Sequence, residues 1–464
     1  MGFPSVGIVI VSWNKKNDLM NLLVGLEGLK YQNVEIIVVD NASTDGSALE
    51  VKTRYPEIIL LVNETNKGGT GGFNTGLEYC LVAGYDYIWL LDNDAKITPE
   101  SLDHLVAVAE SDSDIGIVGS KILNVDSPAF IVKLGANIDW GRGLVRSISQ
   151  NVRDFACAED CLNVDYVPFC SALICRDCLL ATGILDERFF LYWDDADFCL
   201  RAIKLGYKTT VATKSIIFHP SFTEKSRDCN YYLTRNTFIF FAKHVNPLLM
   251  IRTQYNVLSR LLKHMLFAYI IEDRKSVSIL SDSLIDFFRR RFGKANGEYQ
   301  NVFPCSSLQK ILSHEIIGEK CLITFEGTAE FMKHAFNVLT YSKKTVTLLV
   351  PFSRSDLYSD LSGNKLIFDD RVNNLMFENI KIFFKIIKGG YDTIVTTHRS
   401  MTPFAFAVSR TYFFDGISGT FSEVPICRKK LPYLFGTIVM SYFLTLFILP
   451  MLWYVSVSMI KRSS

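Results

Sequence analysis

The sequence predicts an α/β chain built on a mostly parallel sheet flanked by helices, and three observations carry that expectation. Short runs of apolar or aromatic residues recur at Val6 to Val11, Val34 to Val39, Ile58 to Val62 and Tyr87 to Leu91. Unbroken runs of this length read as strands buried on both faces. Helical spacing fills the gaps, as in Leu19, Leu22, Leu23, Leu26 and Leu29. Most of these runs end in polar residues, and ligands of such sheets bind beyond the carboxyl ends of the strands.

The first strand ends at Ser12-Trp13-Asn14 and the second at Asp40-Asn41-Ala42-Ser43-Thr44-Asp45-Gly46. After the third, Asn66-Lys67-Gly68-Gly69-Thr70-Gly71-Gly72-Phe73-Asn74 reads as a glycine-rich loop opening a helix. The fourth ends at Asp92-Asn93-Asp94. From about residue 115 the alternation is less regular. Ile115 to Val118 and the run from Val167 to Ile174 read as further strands. The acidic stretch Trp193-Asp194-Asp195-Ala196-Asp197-Phe198 opens a helix through Leu205, where early carboxylates suit the helix dipole. Ile216 to Phe218 is a short strand that delivers His219. Residues 227–245 and 248–271 read as helices. The second is amphipathic, with Arg252, Arg260, Lys263 and His264 on a solvated, acceptor-facing or membrane-facing side.

Gly293 to Ser307 reads as a linker. Residues 318–425 restart an α/β alternation, with strands expected at Cys321 to Phe325, Val346 to Val350 and Thr393 to Thr397, and carry no phosphate-loop or catalytic motif. Leu431 to Ile460 is 30 residues without a charge, about 45 Å as a helix and more than the roughly 20 residues that span a bilayer. Arg428, Lys429 and Lys430 precede it and Lys461 and Arg462 follow, so charge does not set an orientation, and Pro450 leaves a re-entrant or interfacial course open. The expected divisions are residues 1–245, a helical extension and linker at 246–317, a small α/β domain at 318–425 and a membrane-associated segment at 431–460.

Composition narrows the function. Lys plus Arg is 49 against 48 for Asp plus Glu, and a net charge of +1 argues against nucleic acid as a partner. Met1-Gly2-Phe3-Pro4 leads straight into a strand, so no signal peptide is expected, and the 11 cysteines read as reduced thiols. Cys175 and Cys178 have a zinc-type spacing, with Cys157, Cys161 and Cys170 upstream, but no second pair completes a ligand set.

Asp92 and Asp94 carry the first chemistry. Two carboxylates leaving a strand tip can hold one hard divalent cation and leave positions open for phosphate oxygens. A plain Asp/Asn turn is the bland alternative.

Taken together, Val-Ser-Trp-Asn at 11–14, Val-Asp-Asn-Ala-Ser-Thr-Asp-Gly at 39–46, the glycine run at 68–72, Leu-Asp-Asn-Asp at 91–94, Trp-Asp-Asp-Ala-Asp-Phe at 193–198 with Arg201, and His219 resemble the inverting family-two glycosyltransferases of the GT-A fold. The likeness covers about residues 5–245. The glycine run, the acidic run and Tyr-Tyr-Leu-Thr-Arg-Asn at 231–236 are most similar to bacterial galactofuranosyl- and rhamnosyltransferases. The resemblance implies transfer of a sugar from a nucleotide-sugar donor to a glycan or lipid-linked acceptor, with Mg²⁺ or Mn²⁺ as cofactor. It implies Asp94 as metal ligand, Asp92 as a second ligand or a ribose and water contact, and His219 completing the shell. Asp195 matches the position of the base, with Asp194 and Trp193 toward the acceptor and Asp197 in support. Ser12, Trp13, Asn14, Asp40, Asn66, Lys67, Gly68, Gly69, Asp92 and Asn93 would line the nucleotide-sugar site. Nucleotide sugars are generally cytosolic, so the cytoplasmic face of the cell membrane is the expected location.

Two departures matter. The Gln-x-x-Arg-Trp motif of processive membrane synthases is missing, and Asp194-Asp195 stands where Glu-Asp is usual. A sugar nucleotidylyltransferase would need a glycine- and arginine-containing loop where Ser12-Trp13-Asn14-Lys15-Lys16 stands. A non-catalytic glycan-binding or scaffolding member of an assembly complex is the remaining alternative.

Overall fold

The computed structural model describes residues 3–125, 128–148, 152–154, 159–220, 227–270 and 274–295, and six strands between 320 and 423. It opens with β1 (Val6–Ser12), α1 (Lys16–Leu26), β2 (Val34–Asp40), α2 (Ser47–Arg54), β3 (Ile59–Val62), α3 (Gly68–Ala83) and β4 (Tyr87–Asp92). Then come β5 (Lys96–Ile97), α4 (Ser101–Ala109), β6 (Ile115–Asn124), β7 (Phe130–Lys133), β8 (Ala136–Asp139), β9 (Leu144–Ser147), β10 (Val152–Arg153), β11 (Cys161–Asn163) and β12 (Ser171–Cys175). After them run α5 (Arg176–Thr182), α6 (Asp194–Lys204), β13 (Lys208–His219), α7 (Arg227–His244), α8 (Pro247–Ile270) and α9 (Arg274–Phe288).

The apolar runs make the centre of the sheet, as expected. β3, β2, β1 and β4 lie side by side, all parallel. Ile8, Ile10, Trp89 and Leu91 point into one core with Leu19, Leu22, Leu23 and Leu26 of α1 and Leu102 and Leu105 of α4. Trp89 is fully buried, and its indole N–H meets the Ser171 hydroxyl at 3.0 Å, which removes the cost of burying that donor.

A mostly parallel sheet holds only for this half. β12 inserts antiparallel to both β4 and β6, and β7 and β10 continue antiparallel beyond them. Direction is set by the route of the connections, which apolar composition does not encode. The short strand expected at 216–218 is the end of the twelve-residue β13, which runs parallel to β6 with a register shift between Ala212 and Ile216. The glycine run is not a loop either: it is helical from Gly68, forming the first turns of α3. A Cβ on Gly72 would come within 2.5 Å of Val11 and one on Gly76 within 2.3 Å of Val9. Those glycines let α3 lie close on β1; they do not open space for a ligand.

Among the described residues, one compact unit takes those up to Leu258 and those at 282–295, and a second takes Ser259–Ser281 and the later strands. The second contains β14 (Lys320–Thr324), β15 (Thr345–Pro351), β16 (Asn364–Phe368), β17 (Thr393–Thr396), β18 (Arg410–Asp415) and β19 (Thr420–Glu423). They form one sheet in the order β16-β15-β14-β17-β18-β19, parallel except for β19. Strand order reverses between β14 and β17, the topology of a doubly wound sheet. No helix among the described residues is long and apolar enough to cross a membrane. The 431–460 segment lies outside the described residues.

Candidate active site

Three strands bring the first cluster together. β4 ends on Asp92, and the Ala95 N–H returns to the Asp92 carbonyl at 3.1 Å, closing a turn that carries Asn93 and Asp94. β5 then pairs antiparallel with β13, placing Phe218 opposite Lys96 and so His219 beside the turn. The His219 Nε2 atom lies 3.2 Å from Asp94 Oδ1 and 3.4 Å from Asp92 Oδ2. Its Nδ1 is 2.6 Å from the Pro220 carbonyl, which can only accept, so Nδ1 carries the hydrogen. A histidine held this way offers Nε2 outward, the usual arrangement of a metal-ligating imidazole. Burial opposes charge on both partners. Even so, the His219 hydrogen bond and charge hold the Asp94 carboxyl below its ordinary value, and the two carboxylates hold His219 up to about 10. A divalent cation would take the place of that imidazole proton. Two carboxylates and a fixed imidazole thus fit Mg²⁺ or Mn²⁺.

Cys170 joins this cluster. Ser171 pairs with Leu91, and the Asp92 N–H reaches the Cys170 carbonyl at 3.2 Å. Sequence reasoning singled the residue out only as a distant neighbour of a CxxC spacing; nothing local in the sequence signals a register between β4 and β12.

The acid pair sits at the start of α6. Asp194 is buried and its Oδ2 accepts from Thr70 Oγ1 at 2.9 Å. Burial first, and then the charge of Asp195, push the Asp194 carboxyl up to about 7. Asp195 is half-buried, and its Oδ1 accepts the Ala196 N–H at 2.7 Å. Its charge acts on Lys133 and on Tyr166, which are bonded to each other, and it reaches Cys170 together with the charges of Asp92 and Asp94. Trp193 packs on Phe240 at 4.5 Å, and Phe240 stacks with Trp140 at 6.2 Å.

Asp197 has a different role. It is fully buried and meets Arg201 Nε at 2.9 Å, Lys243 Nζ at 2.7 Å and His244 Nε2 at 2.7 Å. Burial alone would raise its pKa, but His244, Lys243 and Arg201 hold the carboxyl well below the usual range. It anchors α6 to α7.

The segment before the pair is strained and pinned. Phe190, Tyr192 and Trp193 have φ of 63°, 65° and 72°, a region costly for side chains of this size. Every carbonyl from 188 to 193 is engaged. Arg235 Nη2 reaches those of Arg188 and Phe189 at 3.2 Å, and Asn236 Nδ2 reaches those of Phe189, Leu191 and Tyr192 at 2.8, 2.8 and 3.0 Å. Thr70 N–H takes Phe190 at 3.2 Å, and Asp197 N–H takes Trp193 at 2.9 Å. A Cβ on Gly68, itself at φ +74°, would stand 2.1 Å from the Phe190 carbonyl. The Tyr-Tyr-Leu-Thr-Arg-Asn stretch thus serves as a clamp on the acid-bearing segment.

The expected nucleotide residues gather at the tips of β1, β2 and α3, but several are engaged with the protein itself. The Ser12 hydroxyl accepts from Asn93 Nδ2 at 3.1 Å, and Asn14 Oδ1 accepts the Thr44 N–H at 2.7 Å. Asp40 is buried, accepting from Ser43 N–H at 3.0 Å and Ser47 Oγ at 3.3 Å. Asn41, not anticipated, joins the two tips: Oδ1 accepts from Asn63 Nδ2 and Lys67 N–H at 3.1 Å each, and Nδ2 donates to Asn66 Oδ1 at 3.1 Å and the Gly68 carbonyl at 2.9 Å. A Cβ on Gly69 would stand 3.3 Å from Leu191. Trp13 is 52% exposed and Lys67 is exposed, so both face solvent where a nucleotide would lie.

Residues 7–159 match the model of glycosyl transferase family 2. The chain carries a glycosyl transferase family 2 domain. Its GT-A-like α/β fold, with a mixed sheet and flanking helices, follows from that membership and from the topology above. The chain is similar to galactofuranosyltransferase GlfT2 of Mycolicibacterium smegmatis, 23% identical over 268 residues, which is 52% of this chain and 42% of GlfT2. The chain thus spans less than half the length of that relative. It is also similar to dTDP-rhamnosyl transferase RfbF of Shigella flexneri, 23% identical over 284 residues, covering 56% of this chain and 92% of RfbF. A crystal structure of S. aureus TarS 1–349 overlays with a TM-score of 0.42 and 15% identity, over 61% of this chain and 80% of that one.

Proposed function

We propose that this protein transfers a sugar from a nucleotide diphosphate donor to a glycan or lipid-linked acceptor in surface polysaccharide synthesis, with inversion at the anomeric carbon. The observation that carries the reading is the meeting of Asp92, Asp94 and His219 at the tip of β4, with Nε2 within 3.4 Å of both carboxylates, in a chain that carries a glycosyl transferase family 2 domain. Asp92, Asp94 and His219 would hold Mg²⁺ or Mn²⁺, which when bound offsets the charge of a departing diphosphate. Asp195 takes the proton of the acceptor hydroxyl as that oxygen attacks, because a sugar hydroxyl is a poor nucleophile until a positioned base relieves it. Attack assisted in this way is a single displacement, and a single displacement inverts. Asp194, held by Thr70, orients the acceptor side. Trp193 and Trp140 present aromatic rings next to the pair. A UDP-galactofuranose or dTDP-rhamnose type of donor is supported by the names of GlfT2 and RfbF.

The test is release of nucleotide diphosphate from candidate donors with a short glycan acceptor, with and without divalent cation. Asp94→Ala should reduce turnover by on the order of 10²-fold or more while circular dichroism stays native. Full turnover in excess chelator overturns metal dependence, and a product retaining the donor's anomeric configuration overturns inversion. Binding of sugar nucleotide without release, across donors and acceptors, leaves a non-catalytic glycan-binding or scaffolding role.

We further propose that residues 431–460 hold the protein at the cytoplasmic face of the cell membrane beside a lipid-linked acceptor. Their 30 uncharged residues support this. Confining enzyme and acceptor to one surface raises their effective concentration. A chain ending at Val424 should move from the membrane fraction to the supernatant, keep its rate on a short soluble acceptor and lose rate on a lipid-linked one. Full-length protein found in the supernatant without detergent overturns the proposal.

A further inference from the structure

The cation site contains one donor that a Mg²⁺ or Mn²⁺ enzyme does not need. Cys170 Sγ, a carboxylate oxygen of Asp92 and a ring nitrogen of His219 all lie within 4.8 Å of one another. Cys170 is 3% exposed, and on its other side Ala95, Ile122, Val132 and Ile217 back it. Its backbone is fixed to β4 through the Asp92 N–H. The thiol is therefore built into the wall of the site. The opposite side is open, since the side chains of Asp92 and Asp94 are 41% and 32% exposed, so a cation has a way in.

These donors form two overlapping sets. Hard cations take oxygen and imidazole and ignore a neutral thiol, whereas thiolate selects zinc and its softer relatives. Tetrahedral zinc, with bonds of about 2.0–2.3 Å, holds its ligands roughly 3.3–3.8 Å apart. Cys170, His219 and Asp92 need to close by only about 1 Å to meet that, which side-chain rotation supplies. On binding, the thiol proton leaves to solvent and the sulfur–metal bond forms in its place. Three protein ligands leave tetrahedral zinc only one open position, whereas six-coordinate Mg²⁺ or Mn²⁺ held by three side chains keeps three for diphosphate oxygens.

Resting on the metal reading above, we propose that this is a two-mode cation site. Mg²⁺ or Mn²⁺ is held by Asp92, Asp94 and His219 with positions left for phosphate oxygens. A thiophilic cation such as Zn²⁺ or Cd²⁺ is held by Cys170, His219 and Asp92 in a shell with a single position left, too few to chelate a diphosphate.

The experiment uses full-length protein and the metals alone. Cd²⁺ should produce a thiolate-to-cadmium absorption band of which one equivalent per chain is lost in Cys170→Ser and in Cys170→Ala. Bound Mn²⁺, read by electron paramagnetic resonance, should be retained in both variants. Zn²⁺ should displace Mn²⁺ from the wild type at least 10-fold more effectively than from either variant. Asp94→Ala should lose Mn²⁺ and keep the Cys170-dependent band. A wild type that holds Mn²⁺ but shows no Cys170-dependent band, or equal displacement by Zn²⁺ in all three proteins, overturns this inference alone. A wild type that holds no Mn²⁺ overturns the hard mode and the metal requirement together.

Discussion

Asp195→Asn should lower kcat by on the order of 10²-fold or more and leave donor affinity near that of the wild type. The two carboxyls of the pair sit in different surroundings. Asp195 is half-buried and shares its field with Lys133, Tyr166 and Cys170. Asp194 is buried, held by Thr70 and pushed up to about 7, so near neutral pH it is only partly ionised. A base must be ionised to accept a proton, a requirement that Asp194 meets only in part near neutral pH. The raised pKa of Asp194 also has a stability signature. Its folded value lies above its unfolded value, so its contribution is fully present below the ordinary carboxylate pKa and is lost as pH rises through about 7. Asp194→Asn should therefore be more stable than the wild type at pH 8 by on the order of 1–3 kcal/mol, with the gain vanishing in acid. Steady-state kinetics with donor and acceptor varied separately, together with melting curves across pH, check both statements. If Asp195→Asn turns over normally and Asp194→Asn is dead, the roles of the pair are exchanged.

Asp197→Ala should be strongly destabilising, at about 3–5 kcal/mol. The side chain is fully buried against Arg201, Lys243 and His244. Removing it strips buried His244 and the partly covered Lys243 and Arg201 of their shared acceptor, and uncompensated charge away from water costs more than an absent pair. The melting temperature should fall by on the order of 10 °C, measured by differential scanning calorimetry. Its pH dependence has the opposite sense to that of Asp194. The folded pKa is depressed, so the wild type keeps this stability above the ordinary carboxylate pKa and loses it as pH falls through the lower, folded value. The difference between wild type and Asp197→Ala should accordingly shrink in strong acid. A variant within 1 kcal/mol of the wild type at pH 7 would mean that Lys243 and Arg201 are satisfied by Asp186 and by the Thr182 and Ile184 carbonyls alone.

Local pattern made the strands of the first sheet legible, because Val6 to Val11 and Tyr87 to Leu91 are buried on both faces and need no polar alternation. The same pattern is silent on direction, which is why β12 arrives antiparallel unannounced. The glycine run at 68–72 misleads for a physical reason. Glycine is a poor helix former, yet here close packing of α3 on Val9 and Val11 outweighs propensity. Among site residues, Asp92, Asp94, His219, Asp194 and Asp195 stood out by charge and position. Thr70, Cys170, Lys133 and Asn41 did not, since their neighbours are set by register between distant segments; Thr70 and Asp194 lie 124 positions apart. Arg235 and Asn236 were visible as a motif, but only the coordinates show that they grip carbonyls.

That grip orders events during synthesis. The acids at 194 and 195 leave the ribosome before Arg235, Asn236 and the Gly293 carbonyl that Arg235 also holds at 2.7 Å. Three bulky residues in left-handed backbone do not keep that shape unaided. A nascent chain that has reached α6 therefore has its acids in composition but not in position. The segment takes its folded shape only when α7 has emerged and docked, so the placing of the acid pair waits on completion of the chain as far as Gly293.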